Sequence, residues 1–355
     1  MEIMKSTTQN LWINQNRRIL LAQVVFVCIL ASVVFQVLDE KKVDYVSPLV
    51  GTFLGLMFWL FEVIILSKWE KVLLKYPLMF AILLKAIIYL FAVYLIINTI
   101  GFAMGLLQGK TLVDFFESLV DREQLILYAY GLLLYATLSL YMQINHLLGD
   151  GILPKFLLGY YRKPVKEHRI FMFLDLKSST SIAEQLGADK YYAFLNDFFH
   201  EVSVPVRATS AEIYQYVGDE IVFTWKTQRG LANNNCLSLF FKIKQRVKKH
   251  ALYYEKKYGV IPEFKAGIHL GQVIAAQIGD TKREIVYNGD VLNTSARIQE
   301  MCNTFGKELL ISNKLLQALC ADGQFEEEEM ATLKLRGKEA QSSLFSISLP
   351  KRPTG

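Results

Sequence analysis

Apolar residues follow two unlike patterns along this chain. Before residue 150 they gather into four runs, Ile19 to Val37, Val46 to Leu66, Leu78 to Ile100 and Leu125 to Leu148, each near the ~20 residues a helix needs to cross a hydrocarbon core. Beyond residue 165 the runs shorten to strand length and alternate with amphipathic stretches. Arg169 to Leu176 reads as a strand, and the hydroxyls of Ser178, Ser179 and Thr180 are placed to cap a helix from about Ser181. Lys190 to Arg207 has helical amphipathicity, and the apolar runs Glu212 to Val217 and Ile221 to Trp225 flank Gly218, Asp219 and Glu220 as a hairpin would. The pattern then predicts a helix over Leu231 to Tyr258, strands over Phe264 to Leu270 and Ile285 to Tyr287, a helix over Val291 to Thr304, and short strands near Leu309 and Leu344. The reading is a four-helix transmembrane domain over 1–148, a Pro- and Gly-punctuated linker over 149–166, an α+β domain over 167–348 and a tail over 349–355.

Composition sharpens this picture. With 52% hydrophobic and 20% charged residues and a mean hydropathy of +0.26, the chain is more apolar than soluble domains of its size. The first 150 residues carry 11 basic and 11 acidic side chains and the rest 28 and 22, so the whole +6 excess lies in the C-terminal part. That excess is interleaved with acids, which excludes a nucleic-acid footprint; the basic stretch over 242–250 reads as a solvated face near anionic lipid. With the N-terminus inside, eleven loop and flanking basic residues fall on the cytoplasmic side against Lys41, Lys42, Lys110 and Arg122 outside, so a multi-pass protein of the inner or plasma membrane with both termini cytoplasmic is expected. The first run has no small-residue cleavage site after it and is expected to be retained. Glu62 and Lys85 lie inside apolar runs, either paired across adjacent helices or reaching the headgroups. Cys28, Cys236, Cys302 and Cys320 form no metal or disulfide pattern, which suits a reducing compartment.

The candidate chemistry lies in the second domain. Asp175 at a strand end and Asp219 at a hairpin tip can converge at one sheet edge, and paired carboxylates suit hard divalent cations that complete their shell with phosphate oxygens and water. Just after Asp175, the amides of Lys177, Ser178 and Ser179 open a helix start favourable to phosphate. In Asn288 to Arg297, Asn293 and Arg297 are four residues apart on one helical face, an amide and a guanidinium suited to an anionic centre. Arg336 and Lys338 flank Gly337 and add basic groups on a tight turn.

FLDLKSST, YVGDEIVF, FKAGIHLGQVIAAQIG, VYNGDVLNTSAR and LRGK, in this order and spacing, resemble the catalytic domain of the class III nucleotidyl cyclases over about residues 166–348. The resemblance implies a ferredoxin-like α+β fold behind the transmembrane bundle. It also implies two Mg²⁺ or Mn²⁺ ions per site held by Asp175, Asp219 and the Leu176 backbone carbonyl. Asn293 and Arg297 match the family's transition-state pair, and Arg336, with Lys338 as fallback, its triphosphate-binding position. It further implies a homodimer with two shared sites, aspartates from one copy and the Asn/Arg pair from the other, converting a nucleoside triphosphate, ATP by default, to a 3′,5′-cyclic nucleotide and pyrophosphate.

The base-contacting positions depart from the family pattern. Adenylyl members usually carry Lys, and guanylyl members Glu, where this chain has Gln215; the second position is Val286. Gln both donates and accepts, and Val offers no hydrogen bond, so a guanylyl or other base specificity stays open. A diguanylate cyclase shares a Gly-Asp-Glu hairpin, but Val217 and Ile221 flank it here and that family has no counterpart to NTSAR. An inactive membrane receptor using the domain only to dimerise is the rival from another class; the complete Asp175, Asp219, Asn293 and Arg297 set argues against it.

Overall fold

A computed structural model of the chain describes residues 24–30, 33, 46–61, 76–107, 122–149, 152–319, 323–333 and 342–350. The chain divides into two units, Met1–Leu148 and Gly149–Gly355.

The first unit contains helices α1 (Val46–Trp59), α2 (Leu78–Leu107) and α3 (Arg122–Leu148). They meet around an aromatic centre in which Tyr89 stacks on Tyr135 at 4.7 Å and Phe58 meets Tyr135 edge-on at 5.2 Å. The 30 helical residues of α2 extend about 45 Å at the α-helical rise. Met79, Leu83, Ile87, Phe91 and Leu95, four residues apart, form an exposed apolar stripe, whereas Lys85 is buried and engaged with a partner. Glu62 lies outside the described residues. Among the described residues no helix is long and apolar enough to cross a membrane. The four crossings therefore rest on the sequence.

The second unit opens with α4 (Ile152–Leu157), then β1 (Val165–Leu176), α5 (Ser179–Leu186), α6 (Ala188–Ala208), β2 (Glu212–Val217), β3 (Glu220–Lys226) and α7 (Thr227–Leu231). It continues through α8 (Asn235–Lys249), α9 (Ala251–Tyr258), β4 (Phe264–Ile278), β5 (Glu284–Asn288), α10 (Asp290–Phe305), β6 (Leu309–Ser312), α11 (Asn313–Leu316), β7 (Glu326–Leu333) and β8 (Ser342–Ser348). The strands form one mixed sheet in the order β2-β3-β1-β4-β6-β8-β7, with β5 pairing the far end of β4. Among the described residues only β4 and β6 pair in parallel.

Alternation along β1 divides the core between the two sheet faces. Ile170, Met172 and Leu174 join Phe194, Phe198, Phe240 and Trp225 beneath α6 and α8, while Phe171 joins Val222, Val273 and Val291 beneath α10. The central strand β4 is buried without interruption from Phe264 to Gly271, as expected of a strand covered on both faces. Two glycines let α10 lie close on it. A Cβ on Gly267 would stand 2.2 Å from the Gln299 backbone nitrogen and 2.6 Å from the Ser295 carbonyl, and one on Gly271 would stand 2.6 Å from Val291 Cγ2. Ser295 Oγ donates to the Phe171 carbonyl at 3.3 Å, and Cys302 Sγ approaches the Ala266 carbonyl at 3.3 Å.

The structure corrects several sequence expectations. The helix after β1 begins at Ser179; Ser178 holds a left-handed conformation and makes no side-chain cap, so the expected hydroxyl capping is not used. The helix expected over Leu231 to Tyr258 is broken, first by Asn233 and Asn234 in left-handed conformations and again at His250 between α8 and α9. β1 begins at Val165, inside the stretch read as linker, and β4 continues to Ile278. The strand β7 was not among those expected; it carries four successive glutamates, which on an edge strand are tolerated and deter pairing with other chains.

Because backbone rather than side-chain ends opposes Gly267, replacing it with Ala must lift α10 from the sheet. Gly267→Ala is expected to cost about 1–3 kcal/mol or more, read as a lowered thermal midpoint of the full-length protein; Gly218→Ala, with nothing within 4 Å of the added atom but a positive φ of 63°, is expected to cost only about 1 kcal/mol.

Candidate active site

The two candidate metal acids converge. β1 pairs β3 with Leu174 opposite Ile221, and β3 follows β2 through the Gly218–Asp219 turn, so the hairpin brings Asp219 to the end of β1 where Asp175 stands. Burial, and next the charge of Asp219, raise the Asp175 carboxyl above its usual range, while Lys265 pulls it the other way. Burial and then the charges of Asp175 and Asp219 push the adjacent Glu220 up to about 7. Negative charge is thus concentrated beyond what the protein's own cation offsets.

Hydrogen bonding at the pair is one-sided. Asp175 Oδ2 accepts from Gln299 Nε2 at 3.0 Å and lies 3.4 Å from Lys265 Nζ, which also donates to Asn303 Oδ1 at 3.0 Å. Asp219 Oδ2 is buried with no hydrogen-bond partner. A buried, unpartnered carboxylate oxygen is costly unless an external cation completes it, so the residues fit a divalent ion. Among the described residues no cluster of three His, Cys, Asp or Glu side chains is arranged to hold a metal. The candidate is a two-carboxylate site of the kind that Mg²⁺ completes with water and substrate phosphate. Leu176, whose carbonyl was expected to assist, is the last residue of β1.

The other expected residues divide between two places. On α10, Val291, Thr294, Ser295, Ile298, Gln299 and Cys302 are buried, whereas Asn293 is exposed and Arg297 only partly covered. At 100° per residue, Arg297 stands about 200° around the helix from Gln299. The Asn/Arg face therefore turns away from the inward side that meets Asp175 of the same chain. Of the expected phosphate amides, that of Lys177 is spent on the Glu263 carbonyl at 2.8 Å, and its ammonium lies 3.5 Å from Glu263 and 3.7 Å from Glu308. Ser178 and Ser179 remain at the start of α5. Arg336 and Lys338 lie outside the described residues.

Tyr214 and Tyr287, the chain neighbours of Gln215 and Val286, pack on one another. A bulge between Ile213 and Gln215 displaces Tyr214, whose ring lies 5.1 Å from that of Tyr287 and whose hydroxyl accepts from the Tyr287 amide at 3.4 Å. Beneath them the fully buried Arg169 stacks on Tyr287 at 4.5 Å and pairs with Glu167 at 2.7 Å and Glu212 at 2.9 Å. Burial alone would raise the Glu167 carboxyl, but the hydrogen bond and charge of Arg169 outweigh it and hold it below its usual range. Gln215 itself is exposed and Val286 half-buried. A polar cavity of about 440 Å³ lies elsewhere, lined by His269, Gln272, Asp290 and Lys314 among others; His269 there bonds Ser312 at 2.7 Å, a structural role.

Comparison with known proteins agrees with this geometry. The family model described as the adenylate and guanylate cyclase catalytic domain matches residues 162–348. This chain belongs to that family. A relative, adenylate cyclase 2 of Rhizobium meliloti, is 32% identical over 259 residues, 72% of this chain and 71% of its own length. An adenylate cyclase of Anabaena cylindrica is 24% identical over 50% of this chain and 36% of its own. A bacterial light-regulated adenylyl cyclase structure superposes with a TM-score of 0.55 at 15% identity, covering 64% of this chain and 67% of that one, which shows the shared fold. The class III cyclase domain read from the five motifs is thereby shown. Lys265, Gln299 and Arg169 were not singled out from the sequence.

In this cyclase domain the crowding of acids carries a stability signature. Asp219→Asn is expected to stabilise the metal-free protein by about 0.5–2 kcal/mol, as relieved active-site strain commonly does, read as a raised thermal midpoint, and to abolish the further rise expected of the wild type with Mn²⁺. Thermal scans with and without Mn²⁺ check both signs.

Proposed function

We propose that this chain is a membrane-anchored, homodimeric adenylyl cyclase that converts ATP to 3′,5′-cyclic AMP and pyrophosphate. The observation that carries this is the division of labour on α10. One chain presents a converged, partly unsatisfied acid pair, and aims its Asn293–Arg297 face away from that pair. A second copy, set head to tail, supplies the missing face and yields two equivalent sites, as closed two-fold symmetry requires. The names of the curated relatives, both adenylate cyclases, support ATP. Gln215 can satisfy either purine, so a guanylyl specificity is the alternative that the assay below separates.

Asp175 and Asp219, with the Leu176 carbonyl, would hold two Mg²⁺ or Mn²⁺, which when bound lower the pKa of the ribose 3′-hydroxyl and offset triphosphate charge. Around that centre, the amides of Ser178 and Ser179 face the phosphates, and Asn293 of the partner copy orients the ribose. Its Arg297 donates to the oxygens on which charge grows as the 3′-oxygen attacks the α-phosphorus and pyrophosphate departs in line. Arg336 or Lys338 binds the triphosphate tail. The site is assembled only when two copies meet, which gives a membrane anchor a physical role: confinement and orientation raise the effective concentration of one domain for the other. The four apolar runs, the exposed stripe on α2 and the basic bias of the intervening loops support a multi-pass protein of the inner or plasma membrane with both termini cytoplasmic.

Full-length protein in detergent, assayed with Mn²⁺ and each of the four common nucleoside triphosphates, is expected to give cyclic AMP from ATP at the highest kcat/KM of the four, over GTP by less than the roughly tenfold that one well-placed hydrogen bond supplies, since Gln215 suits either purine. Cyclic product from GTP instead would select the guanylyl alternative, and none from any would select the inactive receptor. Asp219→Ala and Arg297→Ala are each expected to be inactive alone. Co-expressed, they should recover about a quarter of wild-type activity, since half of randomly mixed dimers hold one intact site of two.

A further inference from the structure

The metal acids of this domain are held unequally. Asp219 stands on a two-residue turn, with one oxygen buried and unpartnered. Asp175 stands at the end of a strand whose central part is covered on both faces, and its Oδ2 meets two donors: the Gln299 amide at 3.0 Å and the Lys265 ammonium at 3.4 Å. The ammonium is itself shared with Asn303. Gln299 is only 4% exposed, and its backbone nitrogen is the atom closest to Gly267, so its side chain starts from the most tightly packed point of α10. A polar side chain on an otherwise buried helix face is costly unless its hydrogen bonds are made; here one is made to a candidate ligand carboxylate. Partners of this kind fix which oxygen of a carboxylate a cation meets and typically control affinity by one to two orders of magnitude.

We propose that Gln299 is a positioning residue that locks Asp175 through Oδ2 and leaves Oδ1 to the divalent cation, so that one helix sets the metal carboxylate of its own chain from its inward face while offering Asn293 and Arg297 to the partner copy from its outward face. This rests on the metal and dimer assignments made above. Lys265 neutralises part of the acid charge from the same side, but its donation is shared with Asn303; the amide of Gln299 supplies the shorter contact.

The test is Mn²⁺ binding by calorimetry on the full-length protein without nucleotide, so that turnover does not enter. Gln299→Met preserves volume and removes the donor. It is expected to weaken Mn²⁺ binding about 10–100-fold while the metal-free thermal midpoint stays within a few degrees; if it fails to fold, Gln299→Asn, which withdraws the donor by one methylene, takes its place with the same expectation. Asp175→Asn is the reference and should abolish binding. Unchanged Mn²⁺ affinity in Gln299→Met alongside a dead Asp175→Asn overturns this proposal alone. Wild-type binding by Asp175→Asn overturns the metal assignment and the proposal with it.

A second readout uses the single-site heterodimer of the Asp219→Ala and Arg297→Ala chains. Adding Gln299→Met to the Arg297→Ala chain, which supplies the acids, is expected to raise the Mn²⁺ concentration for half-maximal activity about 10–100-fold. Added to the Asp219→Ala chain, it should change that concentration by no more than about twofold, as for an independent site. An equal effect from either chain means a general packing defect and overturns positioning. An inactive parent heterodimer refutes the shared-site reading, and the calorimetry still decides the role of Gln299.

Discussion

The second unit is organised by the distance between α10 and the central strand. Gly267 and Gly271 remove the side chains that would otherwise hold the helix off β4, and backbone meets backbone with 2.2 Å between an imagined Cβ and the Gln299 nitrogen. At that spacing Gln299 reaches across β4 to Asp175 on β1, and Ser295 reaches the Phe171 carbonyl. A side chain of even one carbon at position 267 would lengthen both contacts. The geometry around Asp175 therefore depends on a packing decision made by residues with no side-chain chemistry. Cores are dense enough that a displacement at one point is transmitted rather than absorbed.

Electrostatics explains why such rigidity is needed. Asp175 and Asp219 are held beside each other against their mutual repulsion, with Glu220 close enough that its carboxyl is pushed up to about 7. Lys265 offsets only part of this. An arrangement of like charges persists only when the surrounding structure enforces it, and here a hairpin turn, a buried strand end and the α10 contacts do so. A divalent cation bound there would offset that repulsion. Cation affinity and a cost to the empty fold are two readings of the same charge cluster.

Much of this was legible in the sequence, for identifiable reasons. Asp175 and Asp219 announce themselves because each ends or interrupts an apolar run, and Asn293 and Arg297 because their spacing puts them on one helical face. The motifs could be ordered because strands and turns here are local in sequence. What was hidden depends on partners distant in the chain. Gln299 reads as an ordinary polar helix residue until the inward pattern of Val291, Ser295, Ile298 and Cys302 is drawn, when it is the amide among small and apolar side chains. Lys265 is one charge in a strand until the register sets it opposite Asp175. The break in the long helix came from two asparagines in left-handed conformations, a choice that helical periodicity alone does not reveal. The strand β7, with its four glutamates, lacks the apolar run by which the other strands were found.

The same strand, β1, anchors two separately held clusters. Asp175 lies near one end of β1 and Arg169 six residues earlier, about 20 Å away in an extended chain. Arg169 is buried with Glu167, Glu212 and the Tyr287 ring around it, and through the Tyr214–Tyr287 pair it fixes β2 against β5, the strands that carry Gln215 and Val286. Breaking a buried ion pair by removing one partner typically costs about 3–5 kcal/mol, so this end of the strand is as firmly held as the metal end, but by different groups. A change at Gln215 or Val286 then need not disturb the carboxylates. The two ends of β1 are thus held independently, because the Arg169 cluster and the Asp175 carboxylate share a strand but no contact.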